Sequence, residues 1–133
     1  MGLEPLATII HGTGYAMGVR YIAAVPGYAI KKVLSEADLM LDDIKLIEIN
    51  EAFAAMPLVS TIVVADGDKG ETQQLRRKTN VNGGSVAVGH PIGATGARLV
   101  MTMLYELRRR GGGYGVAAIC GGGCMAASIV IKV

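Results

Sequence analysis

Residues 80–99 read NVNGGSVAVGHPIGATGARL, and the way this stretch turns decides what kind of domain surrounds it. Asn80 to Asn82 are strand-like, Gly83 and Gly84 turn the chain, and Gly89 lets the backbone approach a neighbour closely. Pro91 fixes the geometry that follows His90 and disfavours a helical conformation at the histidine itself. Small residues then open a helix that carries Leu99, Val100, Met103, Leu104 and Leu107 on one side and ends in the basic run Arg108 to Arg110, which suits the negative end of the helix dipole. A short strand, a tight turn and a long amphipathic helix make one strand-to-helix unit. An imidazole on so rigid a turn reads as positioned for work, although a histidine satisfied by its surroundings fits the same residues.

The units on either side repeat the alternation. Residues 7–17, ATIIHGTGYAM, form a strand-like run, and VPGYAIKKVLSEADL (25–39) follows with Val25, Ile30, Val33 and Leu34 opposite Lys31, Lys32 and Glu36, the pattern of an amphipathic helix. Asp42 and Asp43 mark a turn before the strand IKLIEIN (44–50), and EAFAAMPLVSTIVV (51–64) is a helix candidate. Pro57 falls inside it, and a start near Ala52 puts the proline just past the first turn, where it removes a bond or kinks the axis. Residues 65–79, ADGDKGETQQLRRKT, are polar throughout and read as a surface excursion. Two further strands, YGVAAIC (114–120) and MAASIVIKV (125–133), close the chain. This order predicts an α/β fold, a mixed, mainly parallel five-stranded sheet covered by helices.

The totals bound what such a unit does. With 133 residues, 51% of them hydrophobic, the chain reads as a single domain over residues 1–133. A net charge of +2 and basic runs without interleaved aromatic residues argue against nucleic acid. No apolar run reaches the ~18 residues of a membrane span and no signal segment is visible, so the expectation is a soluble cytoplasmic protein with no membrane contact.

Cys120 and Cys124 flank three glycines in the stretch CGGGC, which admits four readings: a metal knuckle, a disulfide, a phosphate-cradling loop, or a catalytic thiol. A zinc site needs two more soft ligands, and His11 and His90 lie far off without paired spacing, so no metal is expected. Two cysteines four apart build no disulfide framework, and the loop lacks the Lys and Ser/Thr of a P-loop. Gly121 to Gly123 can still present backbone N–H groups to a developing oxyanion. A second polar spot is EINEAF, where Asn50 and Glu51 follow directly on strand residues, at the end of a strand that faces the ligand crevice of open α/β sheets. Asn50 equally suits the N-cap of the helix that follows.

Taken together, NEAFAA, NVNGGSVAVGHPIGATGARL and CGGG occur in the order and approximate spacing of the thiolase family, and almost the whole chain closely resembles the C-terminal half of its members. The resemblance implies one half of a five-layered αβαβα core and reversible Claisen condensation and thiolysis between two acyl-CoA molecules, with coenzyme A thioesters as substrates and no other cofactor. By motif, His90 takes the proton of a nucleophilic cysteine, Cys120 moves the α-proton of the second thioester, and Asn50 holds a water that helps His90 stabilise the enolate oxygen. The N–H of Gly122 contributes to the oxyanion hole, while Met17, Ala52 and Phe53 match positions lining the acyl or pantetheine channel; core packing explains Met17 and Phe53 equally well.

Thiolases carry their acyl-accepting cysteine in the N-terminal half. The chain is therefore expected to be a separately encoded small subunit of a split thiolase, or a domain fragment, active in a hetero-oligomer with a longer chain that supplies that cysteine. A non-catalytic thiolase-like scaffold and a condensing enzyme with an unusual acyl acceptor are the alternatives. The sequence departs from the family at Gly121, where a bulkier residue is usual, at Cys124, where a small residue is usual, at Pro57, and in the long charged segment before residue 80, which suggests a surface hairpin or a partner contact. His11, in HGTG, resembles the histidine motif of ketoacyl synthases but stands on the wrong strand for that role.

Overall fold

The strand Tyr114–Gly121 is buried on both faces along most of its length, and the rest of the domain is arranged to cover it. The structure, a computed structural model, describes residues 2–133. Along the chain the elements are β1 (Thr8–Ala16), α1 (Val25–Glu36), β2 (Ile44–Ile49), α2 (Ala55–Val64), α3 (Lys69–Arg77), a single turn α4 (Ser85–Val88), α5 (Thr95–Arg109), β3 (Tyr114–Gly121) and β4 (Met125–Lys132). The four strands form one sheet in the order β1-β4-β3-β2. β2 and β3 are parallel, whereas β4 runs antiparallel to both β3 and β1.

Two expectations about the sheet are thereby corrected. It has four strands and not five, and two of its three pairings are antiparallel, so it is mixed but not mainly parallel. The missing strand is the one expected at Asn80 to Asn82. The chain touches β2 there through a single parallel bridge, Ile47 to Thr79. Backbone bonds from Ile47 N–H to Lys78 O and from Asn80 N–H to Ile47 O, both 2.9 Å, hold it in place. Asn80 then turns out of the extended region, with φ +48°. Its side chain takes over the next rung of the ladder, accepting from Ile49 N–H at 2.8 Å and donating to Ile49 O at 2.9 Å. The antiparallel hairpin follows from the three residues left between Gly121 and Met125, too few for the crossover that a parallel pair needs.

The helices cover the two faces unequally. α1 lies across β4, β1 and β3 with α2 and α3 behind it, and its residues Ile30, Val33 and Leu34 pack against Ile49, Val116, Ala118 and Val130. On the other face α5 places Leu99, Met103 and Leu107 against Leu46, Ala117 and Ile131. α5 sits over β2 and β3, so the β4–β1 half of that face is an open groove of about 500 Å³ floored by Gly12, Gly14, Ala127 and Ile129.

The polar segment 65–79 lies at the surface but forms a helix, α3 over Lys69–Arg77, in place of a hairpin. Asp68 caps it by accepting from the Glu71 N–H at 2.7 Å, and Leu75 and Thr72 are its buried residues. Pro57 costs α2 no hydrogen bond: α2 begins at Ala55, so the proline lies in the first turn, where an N–H has no partner within the helix. No helix among the described residues is long and apolar enough to cross a membrane.

Candidate active site

The parallel pair β2–β3 brings two chain ends to one edge of the sheet. β2 ends at Ile49, and Asn50 follows with its N–H donating to Ala118 O at 2.9 Å. Cys120 lies two residues further along β3, so both arrive at the C-terminal edge of this pair. They come from opposite faces. Cys120 packs with Val25, Ala29, Cys124 and Ala126 under α1, whereas the Asn50 side chain joins the polar network beside α5.

The segment 80–94 delivers His90 to that edge. Glu51 pins its start, accepting from the Val86 N–H at 2.9 Å and from Asn80 Nδ2 at 3.4 Å. This carboxylate lies so close to Gly84 that a Cβ there would meet it at 2.4 Å, which only a glycine avoids. Gly89 has φ +92°, in the region closed to most side chains, and this reversal turns His90 back toward Asn50.

Asn50 is fully buried and donates from Nδ2 to His90 Nε2 at 3.3 Å. The other ring nitrogen, Nδ1, lies 2.7 Å from Thr95 Oγ1. The Thr95 hydroxyl has a single proton, which it donates to Pro91 O at 3.0 Å. With its proton so placed it accepts from Nδ1–H, and with Asn50 Nδ2 donating to Nε2 the ring is the Nδ1–H tautomer, its Nε2 able to take a proton. The Asn50–His90 bond is long for an N–H···N contact, so a stronger donor can replace it. The amide is itself oriented: Ser85 Oγ donates to Asn50 Oδ1 at 2.6 Å, and Arg98 donates to Ser85 Oγ at 2.9 Å. Asn50 does not cap α2, whose N-cap is Ala54 without a side-chain bond.

Cys120 is half-buried and free, and burial pushes its thiol upward, with Cys124 adding to the shift and a backbone hydrogen bond opposing it. Within this chain its surroundings therefore favour the thiol over the thiolate. Cys124 is buried, with φ +60° at the end of the β3–β4 turn, and its carbonyl accepts from Met17 N–H at 3.1 Å. Gly121 to Gly123 are exposed, a Cβ on any of them would meet open space, and among the described residues the Gly122 N–H has no backbone acceptor. Met17 packs in the cluster with Cys120, whereas Ala52 and Phe53 are exposed on the connection after Asn50. Val86, Val88 and Ile92 are exposed on the segment that carries His90 and give it an apolar rim. His11 is on the opposite edge strand, 3.1 Å from Glu36 in a surface hydrogen bond.

Thr95, Ser85, Arg98 and Glu48 belong to this network and do not stand out in the sequence as site residues. Glu48 was visible as a charge inside the apolar strand IKLIEI and Arg98 as a charge beside Leu99 on the core-facing helix. Their approach to 3.9 Å could not be read from spacing, since they lie fifty residues apart.

Comparison with known proteins gives one family match, two relatives and two solved structures. Residues 3–133 match the family described as Thiolase, C-terminal domain. An acetyl-CoA acetyltransferase of Syntrophomonas wolfei is 39% identical over 132 residues, 99% of this chain and 32% of that protein. A beta-ketoadipyl-CoA thiolase of Acinetobacter baylyi is 40% identical over 98% of this chain and 31% of its own length. Among solved structures, the Bacillus anthracis acetyl-CoA acetyltransferase matches with a TM-score of 0.86 and 40% identity, over 98% of this chain and 31% of that one. Human mitochondrial 3-ketoacyl-CoA thiolase matches with a TM-score of 0.80 and 36% identity. The chain spans about a third of the length of the relatives it matches.

Proposed function

Because this chain belongs to the thiolase family, as its C-terminal domain, we propose that it supplies His90, Asn50, Cys120 and the Gly122 N–H to a thiolase site completed by a partner, the family's N-terminal half, which carries the nucleophilic cysteine. The observation that carries this reading is the Asn50–His90–Thr95 arrangement, in which Nδ1 is engaged by Thr95 and Nε2 remains an acceptor.

In the first half-reaction Nε2 takes the proton of the partner's cysteine. Its sulfur attacks the thioester carbonyl of an acyl-CoA, the carbon–sulfur bond to coenzyme A breaks, and the proton held by His90 leaves with the coenzyme A thiol. The Gly122 N–H, without an acceptor in the turn, donates to the oxyanion of the tetrahedral intermediate. In the second half-reaction Cys120, its thiol proton first lost to solvent, takes as thiolate an α-proton from a second acyl-CoA and later passes that proton to the partner's departing cysteine. The enolate carbon attacks the acyl-enzyme, a carbon–carbon bond forms, and the partner's cysteine departs as thiolate, giving a 3-ketoacyl-CoA. Asn50 Nδ2 has two N–H groups; one reaches His90 and the second serves the water that stabilises the enolate. The exposed rim of Phe53, Val86, Val88 and Ile92 fits contact with a pantetheine arm or with the completing chain.

The test is thiolysis of acetoacetyl-CoA by the reconstituted pair. His90→Ala should abolish both acylation of the partner's cysteine, read by intact mass, and turnover. Full acylation with His90→Ala would sink the assignment.

A further inference from the structure

The amide of Asn50 can sit in two orientations related by a half-turn, and only one is compatible with a base at His90. With Nδ2 toward the ring, Nε2 accepts a hydrogen bond and carries no proton. With Oδ1 toward the ring, two acceptors would face each other unless Nε2 carried a proton, and a protonated Nε2 cannot take one from a thiol. What selects the orientation is on the far side of the amide. Ser85, 7% exposed, donates its single proton to Asn50 Oδ1 at 2.6 Å. It is free to do so because Arg98 fills its acceptor side, donating to Ser85 Oγ at 2.9 Å. Arg98, half-buried on α5, is held in turn by the buried Glu48 at 3.9 Å.

We propose that Ser85 and Arg98 are positioning residues for the base: the relay Arg98 to Ser85 to Asn50 fixes the amide so that His90 is kept as its Nδ1–H tautomer with Nε2 open. The kinetic consequence rests on the thiolase reading above, whereas the tautomer does not. The charged groups packed around the relay are Glu48 on β2, Glu51 after it, and Arg98 and Glu106 on α5. Glu51 is occupied by the Val86 N–H and Asn80, and Glu106 by Arg109, Arg110 and Asn82, so Arg98 is the charge in direct contact with Ser85.

The tautomer can be read directly, because the chain has two histidines and His11→Gln leaves one ring. In ¹⁵N-histidine-labelled protein carrying that change, at a pH where the ring is neutral, His90 should give the Nδ1–H pattern. Ser85→Ala should move it toward Nε2–H, and Ser85→Thr, which restores a hydroxyl, should return it. In the reconstituted enzyme Ser85→Ala should lower kcat for acyl transfer about tenfold with KM within about twofold, the mark of a lost geometry rather than lost binding. Should Ser85→Ala fail to fold, Arg98→Met combined with Glu48→Gln removes the donor behind Ser85 without leaving a lone buried charge, and should shift the ring in the same direction. A ring unchanged in both variants overturns the proposal, even if the enzyme is an active thiolase. A ring that shifts as expected in a protein without acyl transfer in any form supports the positioning and rejects the thiolase reading.

Discussion

Asn50 and His90 touch at 3.3 Å, yet they should fail differently when removed. On the proposed reading, losing the imidazole removes the proton acceptor for the first half-reaction, whereas Asn50→Ala should leave an acylated partner visible by mass and slow condensation by about 10²–10³, the usual loss for an oxyanion donor. Condensation within about twofold of wild type would mean that the asparagine is only structural. The two cysteines separate in the same way. Cys120 reaches the open edge and Cys124 is buried, so Cys120→Ser should preserve acyl transfer and suppress carbon–carbon bond formation, while Cys124→Ala should keep both; the reverse pattern would place the proton-transfer thiol beyond the turn. Single residues were legible at this scale where a backbone rule marks them, as Gly89 and Pro91 mark His90. Thr95, Ser85 and Arg98 are ordinary helix residues until folding sets them beside the imidazole and the amide.

On strand β2, Glu48 is 2% exposed and its Oε2 has no hydrogen-bond partner. Burial raises its carboxyl from 4.5 to about 7, which Arg98 at 3.9 Å offsets only in part. Since the folded state holds this proton more tightly than the unfolded chain, the group weakens the fold progressively as pH rises from 4.5 through about 7. Glu48→Gln should therefore stabilise the protein at pH 8, by at most about 3 kcal/mol, and change little at pH 4, measured by thermal unfolding at the two values; equal effects at both would refute the buried-charge account. Helix α5 is anchored through Met103, which has no exposed surface, so Met103→Ala should cost about 2–5 kcal/mol in urea unfolding. The amphipathic periods of α1 and α5 were plain in the sequence. α3 was not, because only Thr72 and Leu75 of its nine residues are buried and its charged remainder imitates a loop; the Asp68-to-Glu71 capping spacing was the signal available.

Across the whole molecule, the β4–β1 half of one sheet face lies open as a groove of about 500 Å³, and Phe53, Val86, Val88 and Ile92 stand exposed around His90. A chain with both surfaces uncovered should self-associate and lack turnover when purified alone, and addition of the completing chain should cure both, as read by light scattering and by thiolysis of acetoacetyl-CoA. Turnover by the isolated chain would overturn the assignment of the nucleophilic cysteine to a partner. The sequence by itself determined the α/β class, the long helices and the three motifs that carry the family resemblance, because periodicity, glycine and proline act within a few residues. It did not determine strand number or direction. Whether Asn80 to Asn82 extend the sheet depends on one backbone turn at Asn80 and its side-chain bonds to Ile49, and the direction of β4 on how the last hairpin closes. The relay from Arg98 to His90 likewise joins groups from β2, α4 and α5. Which proton sits on which atom there was decided only when tertiary packing brought these polar groups together and fixed which atom of each donates and which accepts.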